Sequence, residues 1–357
     1  MGGKGLSVSV WTSDQAFSWY NEQGWLVGCN FLPSSCINQI EMFQEDTFNI
    51  EEITREVSWA KGIGFNSLRV YLHDLLWEEK DQFLVRFNDF LDCCNTFEIK
   101  PIIVLFDDCH YPFPELGPQP LPVRGIHNSG WKQSPGHQIV TEIFELNAEQ
   151  HLKRLQSYTQ ELLELYKEDE RILMWDLYNE PGQFGIGEKS YTFLKNVWDW
   201  AHEIRPSQPL TSCLDGSIGD SIISLNKSKS DIITFHTYES EKLEPTISKL
   251  KKIGRPLMCT EYMAREYGTT FEFCLPIFKK YNIACYNWGL VAGRSQTNFN
   301  WETILYLNEE RDKGNLVREN DILTEPDEWF HDIFRQDGSP FSNEEITFIK
   351  KILLNKE

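Results

Sequence analysis

No stretch of this 357-residue chain approaches the roughly eighteen consecutive apolar residues that a membrane-spanning helix needs. The opening MGGKGLSVSVW also lacks an apolar segment of secretory length. Gly2 begins like a myristoylation signal, but Leu6 stands where Ser or Thr is required. The expectation is a cytoplasmic protein with no membrane partner. Positive charge is scarce as well: 34 Lys and Arg face 54 acids, a formal charge of −20. Such a field repels nucleic acid and anionic lipid and favours a neutral or cationic ligand, unless a local basic cleft overrides it. There is no C-x-x-C pair. The nine cysteines (Cys29, Cys36, Cys93, Cys94, Cys109, Cys213, Cys259, Cys274 and Cys285) are odd in number and scattered, which reads as reduced core thiols. Neither H-E-x-x-H nor G-x-S-x-G occurs, and no Cys/His set clusters. Zinc-protease and serine-hydrolase chemistry therefore find no support, and no metal or organic cofactor is implied.

What the chain does have is a repeating pattern. Eight short apolar runs, each followed by a helical pattern, occupy residues 24–31, 65–72, 100–107, 171–179, 208–214, 230–238, 255–262 and 281–290. Near-continuous apolar strands mean burial on both faces, hence parallel strands with helices between them. Eight such units predict a closed (β/α)8 barrel. A doubly wound open sheet is the alternative, but its glycine fingerprint after the first strand is missing. Among the helices, Asn49 caps one with Glu52 three residues on, and Gly62 and Gly64 stop it; a broad apolar stripe runs through 147–168. With no repeat or linker, the expectation is one domain over 1–357, with an N-terminal lead at 1–22 and a helical tail at 326–357. No oligomeric state is read from the sequence. Two segments interrupt the pattern. Residues 108–147 hold six of the sixteen prolines, and 292–325 follow the last strand; both read as long loops, the first as a cleft wall.

In a (β/α)8 barrel the functional face lies at the carboxyl ends of the strands. Those ends carry Asn30; Arg69 with His73 and Asp74; Asp107, Asp108 and His110; Asn179 and Glu180; His236 and Tyr238; Glu261; and Trp288. Buried polar groups cost several kcal/mol each by rough transfer estimates unless paired, so a ring of them implies mutual pairing about a cleft. Glu180 and Glu261 end the fourth and seventh strands and face each other across the mouth. Two opposed carboxylates suit glycosidic cleavage, one protonating the leaving oxygen while the other attacks the anomeric carbon.

The NEP at 179–181, the TEY at 260–262, Arg69, FHTY and YNWG together resemble the retaining glycoside hydrolases of clan A. The resemblance implies that Glu180 is the acid/base and Glu261 the nucleophile of a retaining β-glycosidase. It implies that Asn179 holds the sugar 2-hydroxyl and that Trp288 is the platform beneath the sugar. An indole face suits the C–H face of a pyranose. Arg69 and Tyr238, both counted among the substrate-binding residues, are expected beside Glu261, keeping it ionised and leaving Glu180 as the protonated partner. His236 and His110 match positions that touch substrate or steady the acid/base. Asp107 and Asp108 either bind a sugar hydroxyl or pair with Arg124 or Lys132. Asn30, Trp131 and Trp301 are further candidate substrate contacts, and Glu41 is a guess on position alone. The opening WLVGCNF and the closing WFHDIFRQDGSPF resemble clan A proteins described as cellulase-like or xylanase-like, from which no substrate contact is carried over. The expected partner is a small carbohydrate, and exo action is favoured because polymers do not reach a cytoplasmic enzyme.

Two rivals stand beside this reading. GQFGIGEKS (182–190) follows a strand like a phosphate-binding loop, but Glu188 is inserted before the lysine, where it would face the phosphates. A barrel that binds sugar without cleaving it is the second, although binding alone needs no opposed carboxylate.

Overall fold

The computed structural model describes residues 10–314 and 326–354. Eight strands appear where the eight apolar runs lie: β1 (Val27–Asn30), β2 (Ser67–Tyr71), β3 (Lys100–Val104), β4 (Met174–Asp176), β5 (Leu210–Thr211), β6 (Ile233–His236), β7 (Leu257–Tyr262) and β8 (Ala284–Trp288). Every pairing is parallel, and β8 pairs with β1 from Val27↔Cys285 to Asn30↔Trp288, which excludes the open doubly wound sheet. The ladder is interrupted only between β5 and β6. Backbone bonds from Asp231 to Leu210 and from Leu214 to Thr234, both 2.9 Å, bridge that seam. The result is a (β/α)8 barrel whose strands are buried on both faces, as near-continuous apolar runs require.

The helices are α1 (Ser13–Glu22), α2 (Gln39–Phe43), α3 (Ile50–Gly62), α4 (Lys80–Thr96), α5 (His137–Leu146) and α6 (Glu149–Tyr166). They continue with α7 (Ser190–Ile204), α8 (Asp220–Lys229), α9 (Ser240–Leu250), α10 (Phe271–Tyr281), α11 (Trp301–Asp312) and α12 (Asn343–Leu354). Asn49 caps α3 by accepting the Glu52 N–H at 3.1 Å. The apolar stripe of α6 buries Leu155, Tyr158, Leu162, Leu163 and Tyr166. At the amino ends of the strands, α1 inserts Ala16 and Tyr20 among Ile102, Met174, Ile232, Met258 and Tyr286. The Tyr20 hydroxyl accepts the Ala284 N–H at 2.6 Å, so the expected lead forms the barrel floor.

Three expectations need correction. The segment 108–147 is not one long loop, since α5 occupies 137–146 and residues 126–135 are buried against the barrel. The segment 292–325 contains α11, and its remainder, 315–325, lies outside the described residues. The tail is helical only in α12. Before it, Gly338 at positive φ and Pro340 break any helix. That irregular stretch is anchored by Arg265, which pairs with Glu345 at 2.7 Å and donates to the carbonyls of Trp329, His331 and Asp332. It brings Phe330 and His331 back to the mouth of the barrel.

Candidate active site

Arg69 organises the site from within. Its β2 side chain points into the barrel and is fully buried. Its guanidinium donates to Asp176 (2.8 and 3.0 Å), Asn179 (2.8 Å), Asn30 (2.9 Å), the Tyr71 hydroxyl (2.5 Å) and Glu261 (2.8 Å). A buried cation is tolerated only when surrounded in this way. On β7, Glu261 accepts Arg69 and the Tyr71 hydroxyl (2.8 Å) on one oxygen and the Tyr238 hydroxyl (2.7 Å) on the other. Burial pushes its carboxyl up, but the charges of His236 and Arg69 and the two tyrosine hydroxyls outweigh burial and hold it below the usual glutamate value.

Glu180 sits just past β4 at φ +44°, a left-handed turn that swings its side chain over the mouth. One carboxylate oxygen lies 2.6 Å from His236 Nδ1 and the other accepts from the Cys109 thiol at 3.1 Å. His236 Nε2 meets Thr260 Oγ1 at 3.1 Å. Burial pulls this imidazole down, yet Glu261 and Glu180 together raise it above the ordinary histidine value. A carboxylate oxygen of Glu180, one of Glu261 and a nitrogen of His236 all lie within 4.8 Å of one another. Among the described residues this is the one trio close enough to ligate a metal. The Arg69 guanidinium at 2.8 Å opposes a cation there, and the trio is already internally hydrogen-bonded.

A cavity of about 560 Å³ opens above the pair. Of the residues the sequence singled out, Glu180, Glu261, Asn179, His236 and Tyr238 line it, as do His110, Trp131, Trp288 and Trp301. Trp288 and Trp131 meet Tyr71 in an aromatic box, with centroids 5.0–5.8 Å apart. Trp301 stands edge-on to Tyr238 at 4.7 Å.

Four candidates do not reach the cavity. Arg69 lies behind Glu261 and touches no open space, so it is not a substrate contact. Asn30 is consumed by Arg69 and by the Thr260 carbonyl. Asp107 accepts from Asn179 (2.9 Å), Trp131 (2.6 Å) and the Cys109 N–H (2.9 Å), and Asp108 from Tyr178 (2.6 Å), Ser190 (2.5 Å) and the Gly182 N–H (2.7 Å). Neither meets Arg124 or Lys132. Both are buried staples between the end of β3 and its neighbouring loops, and burial raises them to about 7 and about 6. Glu41 is likewise paired away from the cavity, with Arg294 at 2.9 Å. In the phosphate-loop lookalike, Ser190 is held by Asp108 and Lys189 by Glu145.

Sequence reasoning missed other wall residues. Cys109 is no core filler, since its thiol touches Glu180 and lines the cavity. His127, Asn128 and His331 line it too. Burial lowers His110 to about 3 and His127 to about 4, and holds His331 well below the ordinary histidine value, so this wall is polar but uncharged. His110 Nδ1, Asn128 Oδ1 and His331 Nε2 have no hydrogen-bond partner among the described residues. The only signal for Cys109 was its place two residues after Asp107 at a strand end; the others come from loops whose path no periodicity reveals.

No protein-family model and no curated protein matches the sequence. Solved structures do match in fold. An exo-β-1,4-mannosidase from Opitutaceae bacterium strain TAV5 superposes with TM-score 0.61 at 15% identity, over 93% of this chain and 60% of that one. The chain thus spans about three fifths of that enzyme's length. A glycoside hydrolase family 5 mannosidase from Rhizomucor miehei gives 0.54 at 12% identity, over 92% of each chain. A broad-specificity endoglucanase from Clostridium longisporum gives 0.52 at 13% identity, over 86% of this chain and 98% of that one. At such identities the kinship is one of architecture: the chain has the (β/α)8 fold that these glycoside hydrolases share.

Proposed function

We propose that this protein is a retaining β-glycosidase acting by double displacement, with Glu180 as acid/base and Glu261 as nucleophile. The observation that carries this reading is the pair of carboxylates within 4.8 Å of each other at the floor of one cavity. Retention calls for carboxyl groups about 5 Å apart, whereas inversion needs a wider gap to admit water. Glu261, held ionised by His236, Arg69 and two tyrosines, attacks the anomeric carbon while Glu180 protonates the departing oxygen. Once the glycosyl ester forms, the charge on Glu261 is gone, and Glu180 draws a proton from the incoming water. His236 joins the two carboxylates and steadies the charge that moves between them. Asn179, fixed by Arg69 and Asp107, presents its amide at the cavity edge for the sugar 2-hydroxyl, and Trp288 is the sugar platform.

The substrates that fit this reading are β-linked oligosaccharides or small glycosides cleaved from an end. Since the structures of similar fold include two mannosidases and an endoglucanase, manno- and gluco-configured glycosides head the test panel. Nitrophenyl β-glycosides are offered to the wild type, Glu180→Ala and Glu261→Ala, with and without azide. Wild type turns over at least one of them with retention. Azide rescues Glu180→Ala to a β-glycosyl azide and Glu261→Ala to the α-anomer. Saturable sugar binding with no turnover of any glycoside would replace this reading by a sugar-binding barrel.

A further inference from the structure

Beyond His110 the chain runs through Tyr111, Pro112 and Phe113 and returns as Trp131, Lys132 and Gln133. The two passes are locked by backbone bonds, Tyr111 N–H to Trp131 (3.1 Å) and Gln133 N–H to Tyr111 (2.9 Å). A second cavity, of about 850 Å³, opens on this ribbon and shares His110 and Phe184 with the first. Two cations converge in it on one ring. Lys132 Nζ lies 4.0 Å and Arg311 Cζ 5.3 Å from the centroid of Tyr111. Lys132 is only 7% exposed.

Neither cation forms an ion pair among the described residues, in a chain with 20 more acids than bases. Glu115 attracts Lys132 without pairing to it, and Asp312 lines the cavity without bonding either cation. Two like charges held near one aromatic face, Lys132 buried and Arg311 at the solvent edge, repel each other at a cost that an anion between them would relieve. Burial, with Arg311 adding repulsion, lowers Lys132 below its ordinary range despite Glu115. Beside them, Gln133 Oε1 is buried without a hydrogen-bond partner among the described residues, an acceptor left for a hydroxyl.

We propose that this second cavity is an oxyanion-binding extension of the cleft, where Lys132 and Arg311 hold a carboxylate, sulfate or phosphate carried on a sugar unit. The inference rests on the glycosidase reading for the sugar and narrows its substrates to acidic glycosides. It reverses what net charge alone suggests: the −20 field is overridden locally, in a cavity that adjoins the one holding Glu180 and Glu261.

Calorimetric titration of the full chain with glucuronic acid, glucose 6-sulfate, glucose 6-phosphate, glucose and inorganic sulfate tests it. At least one charged sugar is expected to bind about tenfold more tightly than glucose and than sulfate alone. That advantage should shrink between about 50 and about 200 mM salt. It should vanish in Lys132→Met/Arg311→Met and persist in Lys132→Arg, while aryl glycoside turnover stays unchanged in all. The tightest of the three acids identifies the anion. Equal affinity for charged and uncharged sugars, sulfate binding as well as any sugar, or a preference undiminished in the double variant would each overturn the proposal. Turnover without the preference leaves the glycosidase reading intact; preference without turnover does the reverse.

Discussion

Gly216 packs against Glu180 with no room to spare. A Cβ built there would stand 2.7 Å from Glu180 Oε1 and 2.9 Å from His236 Nδ1, and its φ of +103° already favours glycine. Gly216→Ala is therefore expected to displace Glu180 and to lower kcat about a hundredfold, the effect of a misplacement near 1 Å. Circular dichroism should show an unchanged fold; wild-type turnover would mean that the Glu180–His236 contact does not govern proton transfer. Glu180, Glu261, Asn179 and Trp288 were legible as cavity-lining residues because strand ends of a (β/α)8 barrel face its mouth. Cys109 was not, because a thiol in an apolar run looks the same whether it faces a core or a carboxylate. Arg69, Asn30, Asp107 and Asp108 were legible as site residues but not in their roles. Strand-end position does not say whether a side chain stops at the cavity or is spent on a neighbour beneath it.

At the scale of elements, β2 delivers one cation that neutralises carboxylates from two other strands. Arg69 lies 2.8 Å from both Asp176 on β4 and Glu261 on β7, with all three side chains at or near complete burial. Arg69→Met should cost about 3–5 kcal/mol, because it leaves buried negative charge without its partner. Urea unfolding measures this, and an unchanged midpoint would refute it. The strands were easy to place, since each is an uninterrupted apolar run, but their ends were not. β4 and β5 have only three and two residues, since the chain leaves the ladder early to form the mouth. α11 escaped notice for a related reason: it buries only Ile304 and Leu307, too few to set up a helical apolar stripe.

Over the whole molecule, the acid excess is partly hidden. Glu56 is wholly buried on α3, where burial raises it to about 7 against the pull of the Ser34 hydroxyl. An unfolded chain ionises this glutamate near 4.5, so its contribution to stability is complete below that value and is lost as pH rises through about 7. The melting temperature should therefore fall between about pH 5 and about pH 8, and Glu56→Gln should make that fall shallower, by on the order of 3 kcal/mol in stability. An equal slope in the variant would sink the assignment. The sequence by itself determined the barrel, because eight two-sided apolar strands alternating with helices have few other ways to be buried. It also determined that Glu180 and Glu261 stand at strand ends on opposite sides. Only the tertiary structure decided how near their oxygens come, which polar groups are spent beneath the cavity, and that Lys132 and Arg311 meet over Tyr111. Those outcomes depend on distances between residues far apart in the chain, set by loops whose course follows from packing rather than from any local pattern.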